Sequence, residues 1–179
     1  LYHWQKTLPS YQEMVERLGD VIFIKPCNLG SSVGISKVSN ESEYDEAVRF
    51  AFRFDQKIIL EEFIDGREIE ISVLGNECPE ASVPGEIFPG EEFYSYDAKY
   101  IDSGNTRLEV PAQLESAIVS ELQEVGKKSF RILELAGLAR IDFFLKSDGT
   151  IWLNEVNTLP GFTNISMYPK LWEATGISY

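Results

Sequence analysis

The sequence predicts an α+β protein built around a largely antiparallel sheet. Three observations lead there. Strand and helix patterns follow one another without the regular alternation of a doubly wound parallel fold. Arg67 to Leu74 alternates Glu68, Glu70 and Ser72 against Ile69, Ile71 and Val73, the period of a strand with one apolar face. Asp148-Gly149 separates two apolar runs, the strongest short signal for a tight hairpin. With 179 residues, 44% of them hydrophobic, the chain can bury a full core as one domain or two small lobes.

The elements follow in order. Ser10 and Glu13 form a capping box for a short helix that Gly19 ends. Val21 to Lys25 is a buried-strand run, followed by a glycine-containing loop and a second strand, Gly34 to Val38. Asn40 to Phe54 reads as a helix whose apolar side is Ala47, Val48, Ala51 and Phe52. Lys57 to Phe63 is a strand, and Arg67 to Leu74 is the next. Pro84 to Asn105 is rich in Gly, Pro and Tyr, and too long for an idle connection. Gln113 to Ala136 is the longest helix, stopped by Gly137. The hairpin comes next, with Asp148 and Gly149 as its two turn residues, and a short helix around Met167 to Ala174 closes the pattern.

A net charge of −13 with no Lys/Arg run argues against a nucleic-acid or anionic-membrane surface. It leaves room for ATP, whose phosphates are screened by metal ions and a few local cations. Cys27 and Cys78 form no metal spacing and point to a reducing compartment. With no signal-peptide pattern and no bilayer-length apolar run, the expectation is a cytoplasmic protein. The chain opens without Met and closes at Gly176 to Tyr179, just past a helical pattern, which suggests a fragment truncated at both ends.

A two-residue turn at Asp148-Gly149 sets Asp142 opposite Glu155, Arg140 opposite Asn157 and Phe144 opposite Leu153, all on one face. Two carboxylates and an amide oxygen make an all-oxygen site suited to Mg²⁺. Arg140 beside them suits a negatively charged reaction intermediate. A surface salt bridge would carry similar letters, but directly opposed carboxylates repel unless a cation or proton intervenes. Asn154 falls on the other face, among Ile141, Phe143, Trp152 and Val156. Lys25-Pro26 enters Cys27 to Gly34, where glycine and serine let backbone amides approach phosphate oxygens. That loop lacks the Walker spacing, and a plain strand connection reads similarly. Glu61-Glu62-Phe63-Ile64 ends a strand; adjacent glutamates are most often a solvated edge, while the exposed backbone beyond also suits an adenine edge and a carboxylate such as Glu68 suits ribose hydroxyls.

Taken together these segments resemble the ATP-grasp ligases, and within them the D-alanine–D-alanine ligase family. The resemblance rests on Ile24-Lys25-Pro26 with Gly30 to Gly34, on Glu61-Glu62-Phe63 with Gly66 and Glu68, and on Tyr96 to Tyr100. It continues through Arg140-Ile141-Asp142, Glu155 to Thr158 and Pro160 to Thr163. It implies a partial small ATP-grasp lobe over 1–60 and the large lobe over 61–179, without the family's N-terminal domain. That domain of the same protein is then a partner, D-alanine the substrate and a homodimer the full-length form.

The resemblance also implies roles. Lys25 and Lys99 contact ATP phosphates; Glu61, Glu62, Phe63 and Ile64 contact the adenine; Glu68 takes the ribose. Ile35, Phe63, Phe93, Phe144 and Leu153 enclose the base, and Asp142, Glu155 and Asn157 hold two Mg²⁺ or Mn²⁺ ions. Arg140 and the Gly161 amide stabilise the tetrahedral intermediate, while Ser166 and Met167 bind the acceptor carboxylate. Ser31 and Tyr100 orient substrates beneath a lid over Phe93 to Ile101. The activity implied is ATP-dependent joining of two D-alanines through a D-alanyl phosphate, for peptidoglycan precursors. D-alanine–D-lactate ligation, another ATP-grasp carboxylate–amine ligation and a non-enzymatic nucleotide-binding module are the alternatives.

Overall fold

A computed structural model describes residues 1–30, 32–89 and 107–179. It contains two compact units, Leu1–Ile64 and Asp65–Phe88 with Arg107–Tyr179. The position after Leu60 falls inside a strand, so the chain leaves the first unit four residues later.

The first unit is a four-stranded sheet in the order β1-β4-β2-β3, formed by β1 (Tyr2–His3), β2 (Ile22–Pro26), β3 (Ser36–Val38) and β4 (Lys57–Glu62). All its pairings are antiparallel. Ile22, Ile24, Val38, Ile58 and Leu60 alternate onto one face and pack against Met14 of α1 (Tyr11–Leu18) and Tyr44, Ala47, Val48 and Ala51 of α2 (Glu41–Ala51). Ser10 and Glu13 make the reciprocal capping box that starts α1. The Asn40 side chain caps α2 by accepting from the Glu43 N–H at 3.0 Å. The opposite sheet face carries Phe23, Lys25, Lys37, Ile59 and Glu61.

The second unit holds a six-stranded sheet along β10-β9-β5-β7-β8, with β6 on β5. Its strands are β5 (Arg67–Gly75), β6 (Glu80–Ala81), β7 (Gly85–Phe88), β8 (Arg107–Glu109), β9 (Gly137–Leu145) and β10 (Ile151–Asn157). Ile69, Ile71, Val73, Ala139, Ile141, Phe143 and Leu145 face Leu122 and Phe130 of α3 (Ser116–Ile132). On the other face α4 (Met167–Thr175) is tied to β5: Ser72 Oγ donates to the Tyr168 carbonyl and Tyr168 Oη to the Val73 carbonyl, both at 3.1 Å. The α+β class and antiparallel pairing are as expected. β7 opens the segment expected to be a loop from Pro84, because Gly85 to Phe88 finds a partner in β5. Residues 90–105 of that segment lie outside the described residues.

α3 ends earlier than Gly137. Glu134 takes the left-handed conformation at φ 54°, the Leu135 N–H bonds the Phe130 carbonyl and the Glu134 N–H that of Arg131. This is a Schellman closure with glutamate where glycine is usual. Gly137 instead starts β9, opposite Gly75. Within α3, Gly126 lies so close to β5 that a Cβ there would overlap Ile71 Cδ1. Gly126→Val is therefore expected to destabilise the second unit by about 1–3 kcal/mol, since Ile71 must leave its packed rotamer. Urea unfolding read by Trp152 and Trp172, both in this unit, checks it; an unchanged midpoint would show that β5 and α3 separate freely.

The hairpin differs from the expected two-residue turn. The Lys146 N–H bonds Thr150 O and the Gly149 N–H bonds Lys146 O, each at 3.0 Å, so Ser147, Asp148 and Gly149 form a three-residue loop with Gly149 at φ 85°. Near the turn this shifts the ladder by one residue: Phe144 faces Trp152 and Leu153 faces Phe143. A bulge between Leu153 and Glu155 then shifts it back, and Asp142 faces Glu155 while Arg140 faces Asn157. Asn154 is the extra residue. The expected Phe144–Leu153 pair does not form.

Candidate active site

In the second unit three cross-strand rows share one sheet face, the face opposite α3. Ser72, Arg140 and Asn157 form the first row; Glu70, Asp142 and Glu155 the second; Glu68, Phe144 and Trp152 the third. Three carboxylates thus line up on neighbouring strands, two of them buried: Glu70 is 5% exposed and Asp142 8%. What balances them is visible in the contacts. Arg140 Nε and Nη2 donate to the two oxygens of Asp142 at 2.8 Å each, and Nε lies 3.1 Å from Glu70 Oε2. The Asn157 amide nitrogen donates to Asp142 Oδ2 and Glu155 Oε1, both at 3.1 Å.

These charges set the protonation states. Burial opposes the Arg140 charge, yet the Asp142 hydrogen bonds and the charges of Asp142, Glu70 and Glu155 outweigh it and raise its pKa. Burial also pushes Asp142 up, to about 6, with Arg140 pulling it down and Glu155 adding to the rise. The folded chain therefore keeps a proton that the unfolded chain has released between roughly pH 4 and 6. Stability falls as pH rises through that window. Asp142→Asn is expected to remove this descending component from urea midpoints measured between pH 4 and 7. The same slope in both proteins would show that Asp142 is not the group that holds this proton.

No group of three or more His, Cys, Asp or Glu side chains stands ready as a metal cage among the described residues. The site nevertheless fits a divalent cation in one respect. A single amide nitrogen sits between the carboxylates of Asp142 and Glu155, where a positive centre is favoured. A half-turn of the Asn157 amide would present its oxygen instead, giving a hard, all-oxygen donor set.

β10 leads into the turn that carries Gly161 and Ser166. A Cβ on Gly161 would stand 3.0 Å from Ser166 Oγ, so glycine lets the main chain close on that hydroxyl. Ser166 Oγ accepts from the Thr163 N–H at 3.1 Å and lies 2.9 Å from Thr163 Oγ1. It precedes α4 without capping it. The Met167 side chain is buried, with its sulfur against Gly85. What Met167 can offer an acceptor carboxylate is its main-chain N–H, in the first turn of α4.

In the first unit, Lys37, Phe23 and Glu61 form a row across β3, β2 and β4. Lys25 Nζ pairs with Glu61 Oε2 at 2.6 Å. Phe63 is 43% exposed and carries Lys37 Nζ 4.8 Å above its ring. Its N–H is taken by the Val21 carbonyl at 3.2 Å, so that donor is committed to the fold. Glu62 alternates away from Glu61, onto the face of Ile22, and Ile64 ends the unit. In the loop after Lys25, Asp55 Oδ2 accepts from the Asn28 N–H and amide at 2.8 Å each. Gly34 at φ 77° passes 2.8 Å, measured from an added Cβ, from Phe54 and Pro26. Ile35 is half-buried beyond it. Ser31, Phe93, Lys99 and Tyr100 lie outside the described residues.

Sequence reasoning missed Glu70, Trp152 and the bulge at Asn154. Glu70 had a partial signal, the Glu68-Glu70-Ser72 alternation that puts it on the polar face of β5, but its place beside Asp142 comes from the β5–β9 pairing. The bulge had none.

Solved structures share this architecture. A D-alanine-D-alanine ligase from Coxiella burnetii superposes with a TM-score of 0.82 at 36% identity, covering 99% of this chain and 47% of that one. A D-Ala:D-Ser ligase from Enterococcus faecalis gives 0.83 at 35%, covering 93% and 49%. The fold is that of the ATP-grasp ligases. The family model described as D-ala D-ala ligase C-terminus matches residues 2–179, and the chain belongs to that family. D-alanine–D-alanine ligases from Oceanobacillus iheyensis and Proteus mirabilis are 55% and 54% identical over 94% and 95% of this chain. The chain spans about half the length of these relatives, 46% of each.

Proposed function

We propose that this chain forms the nucleotide- and metal-binding part of an ATP-dependent ligase that joins two D-alanines into D-alanyl-D-alanine, a peptidoglycan precursor. The observation that carries the reading is the Glu70–Asp142–Glu155 row with Arg140 and Asn157 at one end, within a chain of this family. Asp142, Glu155 and Asn157 would hold Mg²⁺ or Mn²⁺, which neutralises phosphate charge. Phe63 supplies an exposed ring for the adenine and Lys25 a phosphate contact once Glu61 releases it; Phe144 stays with the base, whereas Leu153, paired with Phe143, falls on the α3 face and leaves that set. Glu68 takes the ribose. Arg140 and the Gly161 N–H face charge developing as one D-alanine carboxylate is phosphorylated and the acyl phosphate is attacked by the second amine. The N-terminal domain of the same protein supplies the remaining first-substrate contacts. Homodimerisation of the full-length form and a cytoplasmic setting belong to this reading; no helix among the described residues is long and apolar enough to cross a membrane.

Phosphate release from ATP with and without D-alanine tests this, measured on the 179-residue chain and on a full-length ligase carrying it. Release that ignores D-alanine in the full-length protein would leave only a nucleotide-binding module. The D-Ala:D-Ser ligase at 35% identity shows that this fold accommodates more than one acceptor, so acceptor choice rests on particular side chains. Tyr100→Phe is expected to raise the share of hydroxyl over amine acceptor when D-lactate and D-alanine compete across a pH series. An unchanged product ratio would remove Tyr100 from that choice.

A further inference from the structure

Arg140 contacts carboxylates on two strands, and only Asp142 belongs to the proposed metal set. We propose that Glu70 is a positioning residue: the carboxylate onto which the Arg140 guanidinium shifts when Asp142 takes a divalent cation. The inference rests on the metal reading above. Both oxygens of Asp142 accept from Arg140 at 2.8 Å, and a cation bound there needs those lone pairs and repels the guanidinium. Arg140 is largely buried, and a buried charge that loses its partner is strongly disfavoured. Glu70 supplies the alternative. It stands directly opposite Asp142 on β5, is itself buried, and has Oε2 already 3.1 Å from Arg140 Nε. The Nε–H is aimed at Asp142, so a small swing of the side chain re-aims the donor without moving either strand.

Charge bookkeeping supports the same assignment. Three carboxylates against one guanidinium leave the cluster two charges negative when all are ionised, the deficit a divalent ion fills. With Glu70 neutral, Arg140 has only Asp142 to hold and competes with the metal for it.

The test is Mn²⁺ binding to the 179-residue chain, read from loss of the free-ion paramagnetic signal. Glu70→Gln should weaken binding roughly tenfold, the worth of one charge-assisted hydrogen bond. Glu70→Asp, which keeps the charge, should restore most of that loss. In an Arg140→Met background, adding Glu70→Gln should change binding by less than roughly twofold, because no guanidinium remains to relocate. Unaltered affinity in Glu70→Gln, or an equal loss in both backgrounds, overturns the handover. If Glu70→Gln alone does not fold, a tenfold gap between Arg140→Met and the double variant does the same. Absence of Mn²⁺ binding by the unaltered chain overturns the metal reading, and this inference with it.

Discussion

Glu155→Gln in a full-length ligase carrying this segment is expected to lower kcat roughly a thousandfold, about 4 kcal/mol of transition-state stabilisation, while leaving the fold intact. The two halves of that expectation have separate causes. Glu155 is exposed on β10 and its cross-strand position is held by the backbone ladder, so an isosteric amide alters stability by no more than about 0.5 kcal/mol. Its charge, by contrast, lies opposite Asp142, where the two carboxylates share one Asn157 amide nitrogen. Glutamine there removes an anionic oxygen from the proposed metal set and places an N–H where that proposal calls for acceptors. Turnover at saturating Mg²⁺ together with a thermal melt separates the two. Near-normal turnover would make Glu155 structural.

Phe130→Ala is expected to destabilise the second unit by about 3–5 kcal/mol. Phe130 is 0% exposed, in one cluster with Leu122, Ile71 and Phe143. The loss combines the burial of an aromatic ring with the void left under a sheet whose strands cannot collapse onto α3. Its carbonyl also accepts the Leu135 N–H that closes α3, although that backbone bond survives the substitution. Tryptophan fluorescence from Trp152 and Trp172 in urea measures the shift, and a loss below about 1 kcal/mol would mean the ring is not a packing centre.

How far the hairpin was legible in the sequence is instructive at the level of single residues. Asp148-Gly149 marks a turn, but a two-residue loop and a three-residue loop with its glycine left-handed both favour those letters. The structure uses the longer one, which by itself would have set Asp142 opposite Asn154. The bulge at Asn154 restores the Asp142–Glu155 pairing, so two departures from ideal geometry cancel at the functional end. At the turn end they do not cancel, and Phe144 faces Trp152. Glycine and helix ends show the same division. Gly137 looked like a stop for α3, yet Glu134 terminates it because the Phe130 and Arg131 carbonyls are in reach.

By itself the sequence determined the α+β class, the capped helix α1, the helix α2, the alternating faces of β5 and the presence of a hairpin turn at Asp148-Gly149. Those features depend on local periodicity and on contacts a few residues apart, which letters encode directly. Only the tertiary structure decided that a bulge at Asn154 brings Asp142 opposite Glu155, that Glu70 joins Asp142, that Lys25 is held by Glu61, that Met167 is a core residue and that Phe63 spends its N–H on Val21. Each of these joins segments separated in the chain. Which strands become neighbours, and which loops bulge, is set by how whole faces pack, and no local pattern carries that information.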